Sequence, residues 1–324
     1  MPKPKTVVTL TMNPSVDLST RVDAVEHTRK LRCAAPAREP GGGGINVARA
    51  MRQLGGVAVA VFPAGGTAGH LLRELLQAQG IIDHAVFTEE LTRESLSVHE
   101  ERTGREFRFV FPGPETREVE WRRSLAAVES LLPMTDFLVA SGSLPRGVPE
   151  NYYAQLASAC RDHDTRLILD TSGAPLEAAL DQGVYFVKPN QRELGQITNY
   201  DLDDPHEQVA ACRELVERGA AEMVALTLGP DGALLVHKEG VQRAFAPEVE
   251  VKSTVGAGDS FVAGLTLALS RHRTTSDAFL YAVAAGTAAV MTPGSELCRL
   301  DDTERLYEVI RGDQALHDNV SPGK

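Results

Sequence analysis

Ser253-Thr254-Val255-Gly256-Ala257-Gly258-Asp259-Ser260, followed by the apolar run Phe261-Val262-Ala263-Gly264-Leu265, decides how this chain is read. A small glycine-rich turn opens an apolar helix, and a carboxylate stands at the opening. The two glycines let the backbone turn tightly and leave its N–H groups unobstructed. The first N–H groups of a helix have no internal partner, and the helix dipole adds partial positive charge there. The result is an anion site. A carboxylate repels a phosphate, so Asp259 is out of place unless it has its own task. It has one if it takes a proton from an alcohol while the backbone of Gly256, Ala257 and Gly258 holds the phosphoryl group under attack. Asp and Ser are also ordinary helix caps, so this segment alone leaves both readings open.

Pro40-Gly41-Gly42-Gly43-Gly44-Ile45-Asn46-Val47-Ala48-Arg49-Ala50 repeats the pattern far upstream, a glycine turn feeding an amphipathic helix. Ile45, Val47, Ala48, Met51 and Leu54 form the buried side of that helix, and Gly55-Gly56 ends it. A flexible linker is polar on both sides, whereas this run leads directly into apolar sequence.

The chain has 324 residues, room for one large α/β domain with an appendage or for two domains. Its net charge of −11, with no Lys/Arg block, argues against a nucleic-acid partner. Cys33, Cys160, Cys212 and Cys298 are far apart and form no C-x-x-C. Reduced thiols in a cytoplasmic protein are expected, not a zinc site or a disulfide framework. The N-terminus lacks a signal-peptide core, and no apolar run is long enough to span a bilayer. No Walker A loop, no G-x-G-x-x-G after the first strand, no G-x-S-x-G and no H-E-x-x-H occurs. The nine histidines show no metal-ligand spacing.

Apolar β-rich runs alternate with helical patterns. The pattern predicts strands at Val7–Met12, Val57–Ala64, Ile82–Phe87, Phe137–Ser141, Arg166–Asp170, Tyr185–Lys188, Met223–Leu228 and Ala233–His237. It predicts helices at Gly44–Leu54, Ala68–Gln79, Glu118–Leu132, Glu150–Asp162, Pro175–Gln182, Pro205–Arg218, Asp259–Ser270, Ser276–Met291 and Asp302–Arg311. Continuous apolar strands such as Phe137–Ala140 are buried on both faces, so a mostly parallel sheet between helical layers is expected. Two stretches, 17–38 and 93–111, read as strands without helices, and Thr103-Gly104 marks a hairpin turn. They predict a small sheet projecting from a core made of 1–16, 39–92 and 112–316. An apolar sheet face without a covering helix needs a partner, which suggests a homodimer. Residues 317–324 are expected to form a frayed tail.

Thr9-Leu10-Thr11-Met12-Asn13-Pro14-Ser15-Val16-Asp17, the glycine run and S-T-V-G-A-G-D together resemble the ribokinase/PfkB family of carbohydrate kinases. Lys30-Leu31-Arg32-Cys33, Phe62-Pro63-Ala64-Gly65-Gly66, Ser141-Gly142-Ser143-Leu144-Pro145, Lys188-Pro189-Asn190-Gln191 and Leu228-Gly229-Pro230 extend the likeness over nearly the whole chain. Within the family it is most similar to the bacterial 6-phosphofructokinases of PfkB type. The resemblance implies a ribokinase-like three-layer α/β/α domain, with the small sheet as a β-lid that covers the sugar and pairs with its copy in a dimer.

The resemblance also assigns roles. Asp259 becomes the general base, and the Gly256–Gly258 backbone the anion hole. Ser15, Val16, Asp17, Gly42, Gly43, Gly44, Ile45, Asn46 and Ser143 contact the sugar, and Arg93 takes the phosphate that the substrate already carries. Lys188, Pro189, Asn190, Glu193, Thr227, Leu228, Gly229, Pro230, Asp231, Gly232, Val251, Ala257, Val283 and Thr287, with Lys30 from the lid, serve ATP and its Mg²⁺. Mg²⁺ is expected on ATP phosphates and water, not in a protein cage. Ser253, Val255, Ala289, Thr292, Gly294 and Glu296 correspond to a K⁺ site. Ser253 replaces a frequent Asp there, and Glu296 stands where the nearest relatives carry a basic residue.

The implied reaction is ATP-dependent phosphorylation of fructose 6-phosphate at C1. Kinases of tagatose 6-phosphate or fructose 1-phosphate are the near alternatives, and Asn13-Pro14 is reminiscent of them. Those sisters usually carry Lys where Gly43 stands, which favours fructose 6-phosphate. A non-catalytic sugar-phosphate-binding regulator is the remaining alternative, and the intact Asp259 turn argues against it.

Overall fold

In the computed structural model, which describes residues 5–320, the chain begins with β1 (Val7–Leu10) and passes through β2 (Ser15–Val22) and β3 (Ala37–Gly41) into α1 (Gly43–Gln53). Next come β4 (Val59–Gly65), α2 (Gly66–Ala78), β5 (Ile82–Thr88), β6 (Arg93–Glu100) and β7 (Glu106–Val110). The middle of the chain is α3 (Glu118–Leu131), β8 (Phe137–Ser141), α4 (Tyr152–Asp162), β9 (Arg166–Asp170), α5 (Ala174–Gln182) and β10 (Val184–Val187). Then follow α6 (Gln191–Ile197), α7 (Pro205–Glu217), β11 (Ala221–Thr227), β12 (Ala233–His237) and β13 (Gly240–Ala244). Three helices, α8 (Ala257–Ser270), α9 (Thr275–Val290) and α10 (Leu300–Val320), close it.

One nine-stranded sheet has the order β13-β12-β11-β10-β9-β8-β1-β4-β5. Strands β11 through β5 in that order are mutually parallel, and β12 and β13 run antiparallel at one edge. Phe137, Leu138, Val139 and Ala140 of β8 are all 0% exposed, because helices cover both faces. Helices α1, α2, α8, α9 and α10 share one apolar core with one face, and α3 to α7 share a second core with the other. Each fully buried Leu or Phe there contributes about 1.5–3 kcal/mol. Helices α8 and α9 sit close because Gly264 lacks a side chain: a Cβ there would stand 2.8 Å from that of Ala285.

A separate four-stranded sheet has the order β3-β2-β6-β7. Strand β2 pairs in parallel with β6, while β3 and β7 pair antiparallel at the edges. Phe109, Val110 and Phe111 at its far side are 50%, 64% and 51% exposed, an apolar surface without cover.

Three elements depart from the sequence pattern. Strand β13 was not expected, since Val241-Gln242-Arg243 is too short and polar to show an apolar run, and it is an edge strand. Helix α6 spans seven residues, too few for a helical period to show. Helix α10 continues past Arg311 to Val320, because Asp313-Gln314-Ala315-Leu316 are ordinary helix formers and Gly312 alone does not stop them. The expected frayed tail is therefore helical over 317–320, and 321–324 lie outside the described residues.

Candidate active site

Strand β1 pairs in parallel with β4 on one side and with β8 on the other. The chain winds outward from β1 in both directions, so the strand order reverses between β1 and β8. Crevices at the carboxyl ends of strands form at such reversals. Thr11 follows β1, Ser141 ends β8, Asp170 ends β9 opposite Ser141, and Lys188 follows β10.

The glycine run lets α1 begin inside that crevice. A Cβ on Gly43 would stand 2.2 Å from Ser141 Oγ, and one on Gly44 would stand 2.3 Å from the Leu10 carbonyl oxygen. Gly42, at φ 115°, adopts a backbone angle that only glycine tolerates well. Gly42 brings no side-chain cap, so the Ile45 N–H donates to Thr11 Oγ1 at 2.7 Å instead.

Helix α8 meets α1 at the same place. Gly256 caps it in the left-handed conformation, φ 76°, and a Cβ there would reach 2.4 Å from Leu297. Asp259 lies in the first turn of α8, and its Oδ2 accepts from Asn46 Nδ2 at 2.9 Å. Arg49, only 3% exposed, donates from Nη1 to Asn46 Oδ1 at 3.2 Å. Burial, and then the Asp170 charge, push the Asp259 carboxyl up to about 6. The Asn46 hydrogen bond and the charges of Lys188 and Arg49 offset part of that rise.

Lys188 is the buried cation of the site. Its Nζ is 3.1 Å from Asp170 Oδ1 and would stand 3.3 Å from a Cβ on Gly258. Burial works against its charge, but Asp170, helped by Glu193 and Asp259, outweighs burial and holds the ammonium above the usual lysine range. An ammonium and the free N–H groups of α8 thus converge behind one carboxylate that ionises near neutral pH. That arrangement can hold a phosphoryl group and take a proton from an alcohol.

On the small-sheet side, Ser15 Oγ donates to Asp17 Oδ1 at 2.7 Å. Asp17 occupies the space that a side chain on Gly41 would need. Arg93, beside Ser15 in the β2–β6 register, donates to the carbonyls of Asn13 at 3.1 Å and Phe111 at 3.2 Å. Its Nε is buried without a partner. Burial lowers the Arg93 pKa, and the Asp17 charge opposes that. Ser143 Oγ accepts from Asn13 Nδ2 at 3.3 Å. Val16 and Ile45, expected at the sugar, are both 0% exposed, so their side chains belong to the core. Only their main chains border the crevice, and the Ile45 N–H is already bound to Thr11.

A cavity of about 1130 Å³ adjoins Gly258 on the other side. Asn190, Thr227, Leu228, Gly229, Pro230, Gly232, Val251, Ala257, Val283 and Thr287 line it. The sequence did not single out Thr254, Phe261, Gly286 or the Ala246–Val249 loop, which line it too. Lys188 and Pro189 do not line it, since Lys188 lies behind Gly258. Nor does Asp231. Glu193 is held in a capping box with Asn190: each side chain accepts the other's N–H at 2.9 Å. Lys30 is exposed on the 23–36 loop and lines no part of the cavity.

The expected monovalent-cation residues cluster at the end of α9. Thr292 Oγ1 is 2.8 Å from the Ala289 carbonyl oxygen and also contacts that of Glu296. Ser253 Oγ accepts from the Val255 N–H at 3.2 Å, and the Ser253 N–H points at the Val290 carbonyl at 3.3 Å. Gly294 turns the following loop at φ 60°. The Glu296 carboxylate pairs through Oε1 with Arg299 at 2.7 Å. The set offers hydroxyl and carbonyl oxygens. Among the described residues no three His, Cys, Asp or Glu gather to hold a metal ion. No helix among them is long and apolar enough to cross a membrane.

Sequence likeness agrees with the geometry. Residues 7–302 match the model of the pfkB family carbohydrate kinases. ATP-dependent 6-phosphofructokinase isozyme 2 of Mycobacterium tuberculosis is 44% identical over 307 residues, covering 95% of this chain and 90% of that protein. The isozyme 2 of Escherichia coli is 43% identical over 304 residues, covering 93% and 97%. The E. coli phosphofructokinase-2 structure in complex with potassium superposes with a TM-score of 0.90 at 42% identity, covering 95% of this chain and 99% of that one. The same enzyme has been solved with fructose-6-phosphate and in a tetrameric inhibited form, each with a TM-score of 0.88 at 41% identity and the same coverage.

Proposed function

The chain belongs to the pfkB family of carbohydrate kinases, and from that premise we propose that it is an ATP-dependent 6-phosphofructokinase. It moves the γ-phosphoryl group of ATP to the C1 hydroxyl of fructose 6-phosphate, giving fructose 1,6-bisphosphate and ADP. One observation carries this reading: Asp259, its carboxyl pushed up to about 6 and hydrogen-bonded to Asn46, stands where the helix of the glycine run meets α8, whose first turn borders a cavity of about 1130 Å³.

The ionised Asp259 takes the proton of the C1 hydroxyl. The C1 oxygen forms a bond to the γ-phosphorus, and the bond from that phosphorus to the β–γ bridging oxygen breaks. Phosphoryl transfer asks the protein mainly for alignment and charge neutralisation. The first N–H groups of α8 and the Lys188 ammonium supply the second. Asp17, Ser15, Asn46 and Ser143 hold the sugar hydroxyls, and Arg93, with its unpartnered Nε, holds the 6-phosphate. Asn190, Glu193 and Asp170 are the groups nearest to where Mg²⁺ on the ATP phosphates would be held. That ion, when bound, neutralises phosphate charge. The hydroxyls of Ser253 and Thr292, with nearby carbonyls, would hold K⁺. Val251, Val283 and Thr287 would flank the adenine. Lys30 would add a cation only where the 23–36 loop meets a nucleotide.

The four-stranded sheet serves as lid, and its exposed Phe109, Val110 and Phe111 meet a second copy in a homodimer. The working compartment is the cytoplasm. Gly43 supports fructose 6-phosphate over the sister phosphosugars: Ser141 occupies the space where their Lys would start.

Coupled ADP release with MgATP against fructose 6-phosphate, fructose 1-phosphate, tagatose 6-phosphate and free fructose tests this, compared as kcat/KM. Fructose 6-phosphate is expected to lead. A lead by another phosphosugar would overturn the substrate, and no turnover with any would favour the regulator.

A further inference from the structure

A buried arginine below the base is left unexplained by the transfer step. Arg49 on α1 is 3% exposed, and each of its three guanidinium nitrogens donates a hydrogen bond. Its Nε donates to Gln79 Oε1 at 2.9 Å, Nη1 to the Pro40 carbonyl at 2.9 Å and Asn46 Oδ1 at 3.2 Å, and Nη2 to Glu39 Oε1 at 3.3 Å. Glu39 lies opposite Asp17 in the β2–β3 pair, and its other oxygen accepts from Ser295 Oγ. The set connects a lid strand, the glycine-run helix and the loop after α9.

An asparagine amide can face either way, and hydrogen-bond partners decide which. A guanidinium can only donate. With Arg49 beneath it, Asn46 must turn Oδ1 down, and that alone points Nδ2 at Asp259. Without Arg49 only the ionised Asp259 itself orders the amide, and a flipped amide that accepts from the protonated Asp259 carboxyl becomes a competing state that favours the protonated base.

We propose that Arg49 is a positioning residue for phosphoryl transfer, fixing the Asn46 amide so that it donates to Asp259 and keeps that carboxylate ionised. The proposal rests on Asp259 being the base, as argued above. The other charges acting on Asp259 are Asp170, which favours its protonated form, and Lys188, which favours the ionised one. Both stay in place when Arg49 is changed.

Arg49→Lys keeps the cation but loses the fork. It is expected to lower kcat about tenfold, the scale of one lost hydrogen bond to a charged group, with both KM values within about twofold. The acid limb of kcat should move to higher pH, so that raising the pH recovers part of the loss. In an Asn46→Ala background, Arg49→Lys should cost almost nothing further, because the residue it acts through is gone. Gln79→Ala, which removes only the acceptor of Nε and leaves both Nη donors in place, should leave kcat unchanged. Wild-type kcat and acid limb in folded Arg49→Lys, or an undiminished extra loss in the Asn46→Ala background, overturns the proposal. If Arg49→Lys does not fold, Glu39→Gln takes its place, with a smaller kcat loss and a limb shift of the same sign. No limb shift in Glu39→Gln then overturns it. Asp259→Asn run alongside separates the two ideas. Retained turnover there removes the base itself, whereas lost turnover with a normal Arg49→Lys removes only the positioning role.

Discussion

Asp259→Asn removes the proton acceptor and preserves the shape of the site, so activity and stability are expected to move in opposite directions. The carboxyl is pushed from an ordinary 3.8 to about 6, first by burial and then by Asp170. The folded protein therefore disfavours the ionised form. What this group contributes to stability is fully present below its unfolded pKa and is lost as the pH rises through about 6. Two pH units at about 1.4 kcal/mol each give an upper bound of about 3 kcal/mol. Solvent reaching the open side of the site reduces that to about 1–2 kcal/mol. Asparagine cannot ionise, so at pH 8 the variant should be more stable by that amount, a rise of roughly 2–4 °C in Tm. The gain should vanish near pH 4. Lys188 stays paired with Asp170, so no new orphan charge offsets it. Meanwhile kcat should fall by about 10²–10⁴, with sugar affinity nearly intact. Thermal unfolding at pH 8, 6 and 4.5, beside coupled ADP release, reads both. A variant less stable than the parent at pH 8, a gain that does not change with pH, or turnover above about a tenth of normal would refute the reasoning.

Three further outcomes are expected. Gly43→Ala puts a Cβ 2.2 Å from Ser141 Oγ, so it should cost about 1–3 kcal/mol of stability and lower kcat/KM for fructose 6-phosphate; calorimetry and steady-state kinetics check this. Lys188→Met leaves Asp170 without its buried cation, and kcat/KM for MgATP should fall at least about 100-fold, as for loss of one preorganised donor at a phosphoryl group. Arg93→Ala should raise KM for fructose 6-phosphate about 10–100-fold while changing KM for free fructose little, because the lost partner is the 6-phosphate.

The alternation of apolar runs and helical periods carried most of the sheet, since each strand from β8 to β12 contains an apolar run of at least three residues. What stayed hidden was short or polar. Helix α6 has no period to show, and β13 is an edge strand with Gln242 and Arg243 in it. In the site, Asp259, Asn46 and Lys188 were legible because glycine turns and strand ends mark them. Asp170 was not singled out, although it ends an expected strand, because one carboxylate at a strand end carries no spacing. Arg49 was passed over as a polar residue within an amphipathic pattern. A cation between buried Ala48 and Ala50, on a helix that opens at a glycine crevice, was the available signal. The Ala246–Val249 wall follows no motif at all, because shape alone brings it to the cavity.

The lid sheet rests on the parallel pairing of β2 with β6, which joins Ser15 to Arg93 and Val22 to Glu100. Between those strands the chain must lay down α1, β4, α2 and β5. Closing so long a loop brings no reward until those core elements stand in place. The small sheet therefore closes after the segment it encloses, and Asp17 and Arg93 come together only in a molecule whose β1–β4–β5 pairing is already built. Folding order thus acts as a check on the site: a half-folded chain does not bring Asp17 to Arg93, and pulse-labelled hydrogen exchange should find β2 and β6 protected after β1 and β4.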